Sequence, residues 1–259
     1  SFGSKVAVAA LPFALGTIFQ RAYAATPATA TPVVDVLNYA LTLEYLESYF
    51  YNQGTAASGL IPGSDASYIA DITDDENHHV TFLQTVIKQL GGTPVTAPQF
   101  DLTAGNGSGN GPFKDVLSNY QTFLAVAETF EDTGVRAYKG QAPNLVGNQV
   151  VLTAALSIHA VEARHASAVR YLRNIKGYAT VAPWIQSTTK GNDTGIALVD
   201  NNYKGEDNII QGGVDITKLP GVNGASISKV SATGAFDEPL SMDDVLALLV
   251  GSFIVNTPK

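Results

Sequence analysis

The sequence predicts an all-α protein: a four-helix bundle followed by a largely irregular extension that ends in a helix. Three observations predict it. Four long stretches between residues 32 and 176 carry apolar residues at helical spacing. Helix-stopping glycines follow three of them, at Gly91-Gly92, Gly140 and Gly177. Two of the stretches also carry a Glu-x-x-His motif, Glu76-Asn77-His78-His79 and Glu162-Ala163-Arg164-His165.

Residues 1–24, SFGSKVAVAALPFALGTIFQRAYA, place Lys5 before an apolar run that closes on Ala22-Tyr23-Ala24. This is the pattern of the later part of an export signal, and it predicts a periplasmic, cell-surface or secreted protein. Pro12 and Gly16 interrupt the run, which is short for a membrane span. Retention of the segment, with a membrane or subunit contact through residues 1–24, is the preferred expectation. Residues 25–32, ATPATATP, read as a linker, so residues 1–32 form an N-terminal segment ahead of the bundle at 33–177. The first helix is expected from about Pro32 to Gln53, with the proline in its first turn. The second runs from about Asp65 to Leu90. A connection of about twenty residues, rich in Gly and Pro, is longer than most helix–helix links. The third helix is expected over about Phe113 to Lys139 and the fourth over about Asn144 to Lys176. The long middle connection favours a bundle with one crossover over an up-down-up-down bundle with a slack loop. Residues 178–259 are rich in Gly, Asn, Asp, Thr and Ser. They predict an irregular extension with a short hairpin, packed on the bundle or on a neighbouring subunit. Ser241-Met242-Asp243-Asp244 reads as the cap of a closing helix.

The chain has 259 residues, 45% of them hydrophobic, which is enough to bury a sizeable core. Its net charge of −8, with no run of Lys or Arg, argues against nucleic acid as the main partner. With no cysteine, disulfides, thiolate metal sites and Cys nucleophiles are excluded. Any metal must be held by oxygen and nitrogen, which favours iron, manganese or zinc.

The two motifs carry the chemistry. Residues i and i+3 share a helix face, so each Glu/His pair can address one ion. Ile72, Glu76, His79, Leu83 and Val86 fall on one track, and Ile158, Glu162, His165, Val169 and Leu172 on a matching one. Each track is the buried face of an amphipathic helix, where a carboxylate and an imidazole need a partner. A four-helix di-metal site takes one further Glu from each remaining helix. Glu44 lies on the stripe Leu37, Leu41, Glu44, Ser48, Tyr51, and Glu131 on Tyr120, Leu124, Ala127, Glu131, Gly134, Tyr138. The expected ligands are therefore Glu44, Glu76, His79, Glu131, Glu162 and His165. Glu47 and Glu128 are either extra ligands or surface residues. Tyr51 and Tyr138 each follow a chosen glutamate by seven residues and are expected to hydrogen-bond a ligand. Asp132 is expected to hold the free N–H of a ligand histidine. His78 lies about 100° around the helix from His79 and is expected to be exposed or beside the ligands. His159 is either core or surface. One such motif alone usually marks a solvated pair or a core histidine; two on matching stripes point to a metal.

Leu37-Asn38-x5-Glu44, Glu76-x-x-His79, Glu131-Asp132-x-Gly134-Val135-x-Ala137-Tyr138 and Glu162-x-Arg164-His165 resemble the ferritin-like superfamily over about residues 33–176. More narrowly, they resemble bacterial ferritin-like proteins related to plant desiccation-associated proteins, as does Phe236-Asp237-Glu238-Pro239-Leu240. The resemblance implies a ferritin-like bundle with a long crossover and two iron or manganese ions. It further implies protection against oxidative stress by Fe(II) oxidation or peroxide removal, with O2 or peroxide as the small-molecule substrate, and a homo-oligomer. The long tail departs from compact cage-forming ferritins, and no CxxC electron-transfer motif is present. The competing expectation is a structural subunit of an envelope or extracellular assembly, in which the metal only braces the core. A metal-free protein is disfavoured because four buried glutamates without cations would repel one another.

Overall fold

The computed structural model describes residues 30–187 and 193–256. The expectations for residues 1–24 fall outside the described residues. Four long helices form the bundle: α1 (Ala30–Ala56), α2 (Ala66–Gln89), α3 (Tyr120–Gln141) and α4 (Gln149–Ile175). No helix among the described residues is long and apolar enough to cross a membrane.

The helix ends follow local chemistry. After α2, Gly91 takes a positive φ of 79°, and its N–H donates to Lys88 O while that of Gly92 donates to Ile87 O. After α4, Gly177 at φ 70° and Tyr178 repeat the arrangement on Asn174 O and Arg173 O. Both are left-handed C-terminal caps that only glycine enters without strain. The third helix begins later than the expected Phe113. Residues 113–119 form turns, and Asn119 accepts the Gln121 N–H at 3.1 Å to start the helix at Tyr120. The fourth also begins late. Residues Ala142–Leu145 form a 3-10 turn containing Pro143, and Asn148 then accepts the Val151 N–H at 3.2 Å. Gly140 does not end α3. It makes room for the extension, because a Cβ there would sit 1.8 Å from the Leu240 carbonyl oxygen.

Side-chain pairs set the helix directions. Tyr45 accepts from Gln84 and Ser48 donates to Asn77, so α1 and α2 run antiparallel. Phe50, late in α1, stacks on Phe123, early in α3, at 4.6 Å between ring centroids. Leu37, early in α1, shares a core with Tyr138, late in α3. Thus α1 and α3 are antiparallel too, and α2 and α3 run in the same direction. Consecutive parallel helices require a crossover, and residues 90–119 supply it. Asp101 fixes the crossover by accepting from the Thr103, Gly107 and Gly109 N–H groups at 2.9–3.0 Å.

The remainder is mostly irregular. It contains α5 (Ala197–Asp200), a hairpin of β1 (Ile210–Gln211) and β2 (Val214–Asp215), α6 (Lys229–Thr233) and α7 (Met242–Leu249). Gly212 and Gly213 turn the hairpin with positive φ at both positions, as a two-residue turn demands. Ser241 Oγ accepts the Asp244 N–H at 3.1 Å and caps α7. The extension lies on the bundle. Buried Arg136 of α3 donates to the carbonyls of Asn202, Lys204 and Glu238, and Phe253 packs on Phe113 and Phe130. The chain end also pairs with the crossover: Asp101 N–H donates to Phe253 O and Val255 N–H to Gln99 O.

Candidate metal centre

Each long helix turns one acidic face inward at mid-length. From α1 comes Glu44, from α2 Glu76 and His79, from α3 Glu131, and from α4 Glu162 and His165. All four glutamates are fully buried and both histidines nearly so. His79 Nδ1 lies 3.2 Å from Glu44 Oε2 and 3.3 Å from both Glu76 Oε2 and Glu162 Oε1. His165 Nδ1 lies 2.8 Å from Glu76 Oε1 and 3.4 Å from Glu131 Oε2. Two donor sets result, Glu44–Glu76–His79–Glu162 and Glu76–Glu131–Glu162–His165, each with its ligand atoms within 4.8 Å of one another. Glu76 and Glu162 belong to both sets. These two would be shared by a pair of ions, with one Glu and one His left to close each end.

The donor atoms suit cations better than they suit each other. Glu76 Oε1, Glu131 Oε2, both Glu162 oxygens and His165 Nδ1 are buried without a hydrogen-bond partner. His165 Nδ1 and Glu76 Oε1 are close but out of line for a hydrogen bond. Orphaned buried polar atoms are costly, and several converging on one point mark a missing ion. Charge agrees: four carboxylates and two neutral imidazoles balance two divalent cations. Without them the cluster draws protons. Burial, offset only in part by the two histidines, pushes Glu76 up to about 7. Burial and the charges of Glu76 and Glu44 push Glu162 well above the carboxylate range. Burial alone would lower the imidazoles. The neighbouring carboxylates outweigh it, raising His165 to about 12 and His79 well above its usual value. A metal taking these positions releases those protons. The residues therefore fit a pair of divalent ions with oxygen and nitrogen ligands.

The phenols cross over. Tyr51 on α1 donates to Glu131 on α3, and Tyr138 on α3 donates to Glu44 on α1. Antiparallel packing of α1 on α3 puts each tyrosine opposite the other helix's glutamate, so each phenol meets an expected ligand. Burial, then the glutamate charges, hold both phenols well above their usual values, so both remain donors.

Asp132 does not hold a histidine. It accepts from Arg170 Nε at 3.1 Å and from the Tyr203 hydroxyl at 2.7 Å, and it also pairs with Arg170 Nη2. The contact expected of it is made by Asp75, whose Oδ2 lies 3.1 Å from His165 Nε2. Glu128 is neither ligand nor surface residue: it is buried between Arg173, at 2.7 Å, and Arg170, at 3.3 Å. Glu47 is also buried, beside the site, with burial and the Glu162 charge pushing it well above the carboxylate range. Gly134 makes the room it shares with Glu162, since a Cβ there would lie 2.9 Å from Glu162 Oε2 and 3.3 Å from Glu47 Oε1. His78 is exposed, and His159 is half-buried. A groove of about 590 Å³ between α2 and α4, lined by Phe82, Val150, Ala154 and Ile158, reaches down to His79.

Asp75 was legible as the residue before Glu76, but its partner on another helix was not. Arg170 and Arg173 carry the spacing that meets Glu128 and Asp132 across an antiparallel pair, a signal that appears only once helix directions are known.

The sequence profile of the family described as Ferritin-like domain matches residues 33–174, and the chain belongs to that family. A solved structure described as "ferritin like, diiron-carboxylate proteins from Bacillus anthracis str. Ames" is 21% identical, over 57% of this chain and 99% of that chain, with a TM-score of 0.47. No curated protein matches the chain.

Proposed function

We propose that this is an exported di-metal carboxylate protein that uses iron or manganese to oxidise Fe(II) with O2 or peroxide, protecting its compartment from oxidants. The observation that carries the reading is the convergence of unpartnered Glu76, Glu131, Glu162 and His165 atoms at two overlapping donor sets. Export is supported by the signal-like composition of residues 1–24. The relation to desiccation-associated proteins is supported by the motif resemblance alone.

When bound, the metal pair supplies one-electron steps on each ion. The chain's own residues set the conditions for that chemistry. Glu44 with His79, and Glu131 with His165, hold one end each. Glu162, with neither oxygen hydrogen-bonded, and Glu76, with Oε1 unbonded and Oε2 3.3 Å from His79 Nδ1, would be the carboxylates shared by the two ions. Tyr138 and Tyr51 hold the outer glutamates in place from behind. The surrounding core of Leu83, Val86, Ile158 and Val169 excludes bulk water, strengthening each charge interaction inside. The groove at His79 gives small molecules a way in.

The test is anaerobic loading with Fe(II), then addition of O2 or peroxide while Fe(III) absorbance is followed. The wild-type chain is expected to oxidise the ion faster than buffer does, and Glu44→Ala and Glu131→Ala are expected to lose that advantage. Wild-type rates no faster than buffer, with ions bound, would contradict the redox role.

A further inference from the structure

The two Glu-x-x-His motifs are alike in sequence but not in surroundings. Asp75, immediately before Glu76, reaches across to α4 and meets His165 Nε2 at 3.1 Å. The same position in the second motif, immediately before Glu162, is Val161, whose side chain forms no hydrogen bond. Among the described residues, His79 makes its polar contacts through Nδ1 alone. Its side chain is 11% exposed and borders the groove between α2 and α4.

A carboxylate on the far nitrogen of an imidazole has three consequences. It puts the ring proton on Nε2, leaves the Nδ1 lone pair aimed at the site, and makes that nitrogen a stronger ligand. His165 has this support and His79 does not. We propose that the two ion positions are unequal: the one closed by Glu131 and His165 binds tightly and fills first, and the one closed by Glu44 and His79 is the exchangeable position. Asp75 is then a positioning residue, acting on the tight site through His165. This inference rests on the di-metal reading above. It adds an order of filling and names the residue that sets it.

The test is a titration of the metal-stripped full chain with Mn(II), read from the electron-spin-resonance signal of the free ion. Two steps are expected, at least about tenfold apart. Repulsion between two cations would split the titration even for like sites, so the variants decide. His79→Ala is expected to keep the tight step and lose the weak one, and His165→Ala to lose the tight one. Asp75→Asn is expected to weaken the tight step roughly 10- to 100-fold, the range for losing such an outer partner. It should also shift the visible bands of the one-equivalent Co(II) complex. A merely structural role for Asp75 would leave the bands in place. Equal effects of His79→Ala and His165→Ala, or an unaltered tight step in Asp75→Asn, would overturn the inference. No Mn(II) bound by the wild-type chain would instead overturn the di-metal reading itself.

Discussion

At the residue scale, the centre is a contest between burial and charge. Glu76, raised to about 7, and His165, raised to about 12, both hold protons in the metal-free fold that the unfolded chain releases sooner. A group with a raised folded pKa stabilises the fold fully below its unfolded value and loses that contribution as pH climbs through its folded value. For Glu76 the loss runs from the ordinary carboxylate range up to about 7, and for His165 from the ordinary imidazole value to about 12. The metal-free chain should therefore melt lower at pH 8.5 than at pH 6. Ions compete with the same protons, so the rise in melting temperature on adding Mn(II) should be larger at pH 8.5. A metal-induced rise that shrinks with increasing pH would contradict this assignment. The tyrosines offer a second check. Tyr138→Phe removes the phenol that donates to Glu44. It should weaken ion binding at the Glu44 end by about tenfold or more, read by ion titration. An unaltered affinity would mean that the phenol only fills space.

At the element scale, the stripes were legible because a buried helix face repeats along the chain whatever it packs against. Glu44, Glu76, His79, Glu131, Glu162 and His165 could be placed on inward faces from spacing alone. What spacing could not supply was the direction of one helix relative to another. For that reason Asp132, expected beside a ligand histidine, instead holds Arg170, and spacing does not say which glutamate each tyrosine meets. Helix starts were also misread. Residues 113–119 have helical composition, but Asn119 is the stronger signal, and it caps α3 seven residues later than the pattern suggests. Asn119→Ala should cost about 1 kcal/mol in chemical denaturation, the usual worth of such a cap. The Asp132–Arg170–Tyr203 group is more consequential. Asp132→Ala leaves a fully buried guanidinium short of a partner, which should cost roughly 3–5 kcal/mol. A loss under about 1 kcal/mol would show that Glu128 alone satisfies Arg170.

At the scale of the whole molecule, the bundle and the extension share one set of buried contacts. Arg136, Tyr203 and Phe253 tie residues 193–256 to α3, and the chain end pairs with the crossover. The metal-binding face lies between the four long helices, and the extension covers the side of α3 away from the groove at His79. Arg136→Met should therefore speed proteolysis within residues 193–256 while leaving the ion stoichiometry unchanged. Cleavage at the wild-type rate would show that the apolar contacts of Phe253 suffice. The extension was the least legible part of the sequence, because its contacts are carbonyls and single side chains with no period. Only its capped final helix and the presence of a short hairpin were legible.

The di-metal reading stands or falls on whether Glu76 and Glu162 are shared by two ions. The most direct measurement is the metal content of the purified chain, loaded anaerobically with Fe(II) or Mn(II) and desalted, beside Glu76→Ala/His79→Ala treated in the same way. Two equivalents per chain are expected in the wild type and a loss of both in the variant. A wild-type chain that retains no more metal than the variant would contradict the di-metal reading.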